Sequence, residues 1–134
     1  MESHIYGLVE RLRDEHKFIE AAIVRYLKIL HERRATGLDE SLVVAVRNVR
    51  DYWKRHVRFE EEEVFPLLEG HDLVEELQVE HRRAEELLRL LEVEKDWGRR
   101  EKLLEELLLL KQRHLAKENR RLIPLLEELA ASLA

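Results

Sequence analysis

His56-Val57-Arg58-Phe59-Glu60, running on to Phe65-Pro66-Leu67-Leu68-Glu69, returns later in the chain as His114-Leu115-Ala116-Lys117-Glu118 and Ile123-Pro124-Leu125-Leu126-Glu127. In both copies the first glutamate follows the histidine by four residues and the proline follows it by ten. A step of four places two side chains on one face of an α-helix. Each copy therefore reads as a helix carrying an imidazole and a carboxylate side by side. A shorter echo, Glu15-His16 against Glu80-His81, lies upstream of each copy. Internal similarity of this kind predicts a pseudo-twofold repeat, in which each half supplies an equivalent set of groups to a shared centre.

Outward from these segments the pattern stays helical. Ile5, Leu8, Leu12, Ile19, Ile23, Leu27 and Leu30 recur at steps of three, four and seven, the spacing of one helical face. Three short breaks, Thr36-Gly37-Leu38-Asp39, Gly70-His71-Asp72 and Asp96-Trp97-Gly98, divide the chain into four such segments. Asp39 and Asp72 are the expected caps of the helices that follow them. Pro66 and Pro124 are expected to kink or end their helices, because each lacks an N–H and crowds the preceding turn. Of the 134 residues, 40% are charged and 45% hydrophobic, with four Gly and two Pro, a balance that favours long amphipathic helices. The expected fold is all-α: an up-down-up-down antiparallel four-helix bundle with an internal pseudo-twofold repeat, forming a single domain over residues 1–134.

Composition also narrows the chemistry. With no cysteine, disulfides, thiolate metal sites and cysteine nucleophiles are excluded. The formal net charge is -5, with Lys and Arg interspersed among Glu, which argues against a nucleic-acid partner. No signal-peptide pattern opens the sequence and no apolar run is long enough to span a bilayer; a soluble, cytoplasmic protein with no membrane partner is expected. Nothing resembles a nucleophile triad or a phosphate-binding loop.

The apolar stripes share one exception: each passes through a histidine, namely His16, His56, His81 and His114. Residues meet across antiparallel helices when they lie equally far from the connecting turn. His16 lies 21 residues before Gly37 and His56 lies 19 after it. Glu60 is ten before Gly70 and His81 eleven after it, while His81 is 17 before Gly98 and His114 is 16 after it. At about 1.5 Å per residue, a mismatch of two positions is roughly 3 Å, so all four imidazoles fall at one level. Buried imidazoles are costly unless paired. Taken singly, a core histidine is more often a hydrogen-bonded structural residue; four at one level point instead to a metal site. Neutral imidazole suits iron, zinc and similar ions, and a carboxylate can bridge two cations and offset their repulsion. Two equivalent halves suit two ions, with coordination gaps left for a solvent bridge or a small ligand.

These motifs, Glu15-His16, His56 to Glu60 with Pro66, Glu80-His81, and His114 to Glu118 with Pro124, resemble the hemerythrin-like domain of the HHE cation-binding type, over essentially the whole chain. The resemblance implies a non-heme di-iron centre, oxo- or hydroxo-bridged, with His16, His56, His81 and His114 as terminal ligands and Glu60 and Glu118 bridging. Manganese or zinc would also suit such donors. The oxygen-carrying members carry a second histidine in the third helix, where this chain has Glu85, and end their motif with an Asp five residues after the last His, where Glu118 stands at four. Glu85 is read either as a carboxylate ligand replacing that histidine, which would favour the ferric state, or as a solvated surface residue. The leading functional expectation is binding or reduction of a small oxidant (dioxygen, peroxide or nitric oxide) in sensing or stress protection. The alternatives are iron handling or sensing without turnover, and a metal-free interaction bundle.

The remaining candidates read as follows. Glu20 and, within Glu60-Glu61-Glu62-Glu63, both Glu61 and Glu62 are expected to be solvated, since consecutive helical positions splay around the axis; Glu63 is the one further member that could face inward. Tyr26 and Tyr52 are read as core packing or as donors near the site. Trp53 and Trp97 are read as structural, and His4, His31 and His71 as surface residues.

Overall fold

The computed structural model describes residues 1–33 and 40–134; the expected turn Thr36-Gly37-Leu38-Asp39, with its cap, lies outside them. Among the described residues the protein is all-helical. The elements are α1 (Glu2–Arg33), α2 (Glu40–Phe59), a π turn (Glu60–Val64) passing into a 3-10 turn (Phe65–Leu68), α3 (Asp72–Val93), α4 (Trp97–Lys117), a second π turn (Glu118–Leu122) and α5 (Ile123–Ser132). The long helices pack on one another, with α1 against α2, α4 and α5, and α3 against α4. No described helix is long and apolar enough to cross a membrane.

Local chemistry accounts for the breaks. Between the 3-10 turn and α3 the chain reverses at Gly70, whose φ of +84° is open to glycine at little cost. The cap of α3 is His71 and not Asp72: its Nδ1 accepts from the Leu73 N–H at 3.1 Å. Asp72 sits one position later, inside the first turn, where a negative charge complements the helix dipole. At α4, Asp96 caps by accepting from the Arg99 N–H at 3.0 Å. Trp97 and Gly98, expected in the turn, are therefore already helical.

The two prolines end differently. Pro66 lies in a 3-10 turn that closes at Leu68, whereas Pro124 lies in the first turn of α5, which continues to Ser132. Before each of them the helix loosens by one residue, so that the N–H of Phe65 reaches the carbonyl of Glu60 and that of Ile123 reaches the carbonyl of Glu118. This wider turn accommodates the proline ring and the missing donor without breaking the segment. Both π turns begin at the glutamate of the repeated His-x-x-x-Glu motif.

The apolar core is split in two. One cluster gathers Ile5, Leu12, Phe65, Leu77, Leu122 and their neighbours; the other gathers Ile19, Trp53, Leu87, Leu104, Leu107 and theirs. His16 falls between Leu12 and Ile19, and His81 between Leu77 and Ala84, so the polar groups occupy the changeover between the two clusters.

Candidate metal centre

The changeover layer is fully enclosed. His16, His56 and His114 are 1% exposed, His81 is 5%, and Glu60 and Glu118 are 0%. All four imidazoles turn Nε2 inward. Around Glu118 Oε1 lie the Nε2 atoms of His16 at 3.1 Å, His114 at 3.4 Å and His56 at 3.5 Å. Around Glu60 Oε1 lie those of His81 at 3.1 Å and His56 at 3.2 Å. The Nε2 atoms of His81 and His114 face each other at 3.1 Å. Two overlapping sets of four donors result: His16, His56, Glu60 and Glu118, and Glu60, His81, His114 and Glu118, each with its atoms within 4.8 Å of one another.

Each ring is held from behind through Nδ1. His56 meets Glu15 at 2.7 Å, His114 meets Glu80 at 2.8 Å, His81 meets Glu61 at 3.0 Å and His16 meets Asn119 Oδ1 at 2.6 Å. These partners are acceptors, so each Nδ1 carries the proton and donates, and Nε2 is aimed at the centre. The arrangement follows the sequence repeat. Glu15 and Glu80 precede His16 and His81 but reach across to His56 and His114; Glu61 and Asn119 follow Glu60 and Glu118 and reach across to His81 and His16. Glu20 takes part at one remove, accepting from the Asn119 Nδ2 at 2.8 Å.

The partners differ in charge, and proton affinity follows. For His56, burial opposes protonation, but Glu60 and Glu15 outweigh it and push the imidazole up to about 9. His114 is also raised: burial opposes the charge, and hydrogen bonds to Glu60 and Glu80 prevail. His16, backed by a neutral amide, is lowered, with burial the leading cause. Glu60 stays ionised, since burial is overcome by His56 and by hydrogen bonds from the surrounding imidazoles.

These residues fit a metal. With Nε2 deprotonated, as metal coordination requires, and the Nδ1 protons directed outward, the centre presents only acceptors; Nε2 of His16 and His56, Oε2 of Glu60 and both carboxylate oxygens of Glu118 make no hydrogen bond despite full burial. Orphaned buried acceptors are costly. A cation among them satisfies all of them together, and imidazole with carboxylate is a donor set that iron accepts.

Of the seven residues singled out from the sequence, the fold brings six together and leaves Glu85 outside. It is exposed and belongs to neither donor set. The spacing explains why. After His56 the inward stripe steps by four to Glu60, whereas after His81 it steps by three to Ala84, 2% exposed, and then to Leu88. A step of four turns a side chain about 40° one way and a step of three about 60° the other; His81 sits toward the edge of its stripe from which the second stays inside and the first leaves it, so Ala84 is buried and Glu85 exposed. Glu85→Ala is accordingly expected to leave metal per chain unchanged by elemental analysis, while Glu118→Ala reduces it by at least half; equal losses would return Glu85 to the site.

Other expectations are also revised. Glu61 is not merely solvated, since it holds His81 and accepts from Gln78 at 2.9 Å, whereas Glu63 faces outward to Arg11 at 3.4 Å. Trp53, read as structural, stands against the metal layer: 6% exposed, it lies 5.6–6.5 Å, ring to ring, from His56, His81 and His114. Tyr52 packs on Phe18 with ring centroids 4.4 Å apart, and Tyr26 packs against the Trp53 cluster. Sequence reasoning missed the roles of Glu15, Glu80, Glu61, Asn119 and Lys111. The doubled Glu-His pair was the one visible signal, and it pointed to the first two.

A buried layer of imidazole and carboxylate across helices, with every Nε2 and both carboxylates facing inward, defines the class: a helical metal-binding domain. The hemerythrin HHE cation binding domain model matches residues 1–68, half of the chain, and the protein belongs to that family, whose metal is usually iron. The match includes His16, His56 and Glu60 and ends before His81, so the second donor set rests on the geometry. No curated protein and no solved structure matches the chain.

Proposed function

We propose that the domain holds two iron ions, one in each donor set with Glu60 and Glu118 shared, and that it binds or reduces a small oxidant such as dioxygen, peroxide or nitric oxide in sensing or stress protection in the cytoplasm. The observation that carries this reading is the sharing of two fully buried carboxylates between two histidine pairs. As the supporting scaffold we take one up-down-up-down domain over residues 1–134, a topology favoured by the short connections at 69–71 and 94–96 and by the packing of α3 on α4. His16, His56, His81 and His114 with Glu60 and Glu118 would hold the ions, and a redox-active pair held there would make two electrons available to a small oxidant. The protein's own part is to orient each imidazole through Glu15, Glu80, Glu61 or Asn119, to keep bulk water from the layer, and to hold Glu60 ionised.

The test is elemental analysis of protein purified without added metal, followed by stopped-flow spectroscopy of the anaerobically reduced form with each oxidant. Two irons per chain and rapid oxidation by at least one oxidant are expected. Iron that exchanges freely with the medium and reacts with none would favour iron handling, manganese or zinc would change the chemistry, and no metal at all would overturn the reading.

A further inference from the structure

Beside the metal layer lies a cavity of ≈ 290 Å³, walled by Trp53, Val57, Ala84 and Leu88 and reaching His81 and Lys111. It is about ten times the roughly 30 Å³ that one water occupies in the liquid, and close to the lower bound of small-molecule sites, about 300 Å³. A diatomic ligand would leave most of it empty. Its buried polar lining is His81 and Lys111; Lys111 is 5% exposed and sits with Nζ 4.7 Å from the centroid of the Trp53 ring.

Lys111 is unusual for a buried cation. Burial alone acts on it, pushing the ammonium down to about 8, and no carboxylate of the described residues pairs with it. The indole offsets part of the cost of burying the charge, and Lys111 lines the cavity, where an acceptor can reach its ammonium. Exposed Lys54 and Arg82 add positive charge to the lining, against Glu61 and Glu85; of those two carboxylates, Glu61 is already engaged by His81 and Gln78.

We propose that this cavity binds a small organic anion, a molecule with an apolar body of about one aromatic ring and a single carboxylate or similar headgroup, seated with its charge on Lys111 and its body against Trp53, Ala84 and Leu88. The anion supplies a carboxylate that no described residue brings to the ammonium, and the apolar part of the lining takes the rest. His81 is both a wall of this cavity and a donor of the metal layer, and Trp53 faces three of the four imidazoles, so occupancy here is felt at the centre. The site does not depend on which metal the layer holds.

The experiment is calorimetric titration of the metal-loaded protein with benzoate and with its neutral counterpart benzyl alcohol, repeated on Lys111→Met, together with the intrinsic fluorescence of the Trp97→Phe variant, in which Trp53 is the remaining indole. Saturable benzoate binding at least tenfold tighter than benzyl alcohol is expected, with a change in Trp53 emission. Lys111→Met should weaken benzoate at least tenfold, the equivalent of about 1.4 kcal/mol, and leave benzyl alcohol unchanged. Ala84→Leu, which fills the cavity and keeps the charge, should weaken both. No saturation of benzoate by about 10 mM, or equal affinity for the two compounds, would overturn the proposal. So would benzoate binding that Lys111→Met leaves intact, since the carboxylate would then sit on the metal.

Discussion

His56→Ala and His114→Ala are each expected to reduce metal content by at least half and to abolish most of the stability that metal confers. Each removes one imidazole from a different donor set, while the shared Glu60 and Glu118 couple the loss to the other set. An ion that binds the folded chain alone stabilises it by about 2.7 kcal/mol at a hundredfold excess over Kd and about 4.1 kcal/mol at a thousandfold. For a chain of this size that is a Tm difference of roughly 10 °C or more between metal-loaded and chelator-treated protein. The variants also leave Glu15 or Glu80 without its imidazole partner, which lowers stability with or without metal. The decisive quantity is therefore the chelator-induced shift in Tm, read by scanning calorimetry beside elemental analysis. A full shift and full metal loading in both variants would remove His56 and His114 from the ligand set.

Lys111→Met should stabilise the protein at pH 7 by about 2–3 kcal/mol, an effect that fades in alkali. The ammonium is pushed down to about 8 in the folded chain, from an ordinary value of 10.5, by burial. Between those two values the unfolded chain binds a proton that the folded chain does not, so stability rises with pH across that window. Below pH 8 the cost of burying the charge is felt in full, and above about 10.5 it is gone. Methionine preserves the apolar stem and removes the charge, so the gain is largest below pH 8. Urea unfolding of both proteins at pH 7 and pH 10.5 measures it. A variant less stable than the parent at pH 7 would mean that the ammonium makes a favourable pairing in the folded protein. A stability cost retained at Lys111 is what a ligand-binding role predicts, because binding sites are often held at the expense of stability.

The histidines were legible because their signal is local. His16, His56, His81 and His114 each interrupt an apolar stripe, and counting residues to Gly37, Gly70 and Gly98 needs only a constant rise per residue. Glu60 and Glu118 came with the repeat. Glu85 was ambiguous because a four-residue step after a histidine reads the same on every helix, whether the inward face next steps by three or by four. The capping role of His71 was hidden because Asp72 beside it is the better capping residue by type.

By itself the sequence determined the helical class, the four segments and six of the groups in the polar layer, since periodicity, chain reversal and axial level are properties of each helix taken alone. Tertiary structure decided what stands behind and beside those groups: Glu15 and Glu80 on rings of other helices, Asn119 in the place where the other half has Glu61, Glu85 outside, and Trp53 and Lys111 around a cavity. Such contacts depend on how far each helix is rotated about its axis. A rotation of about 40°, the offset of a single four-residue step, or one extra residue in a π turn, exchanges which side chain faces inward, and no spacing within one helix records it.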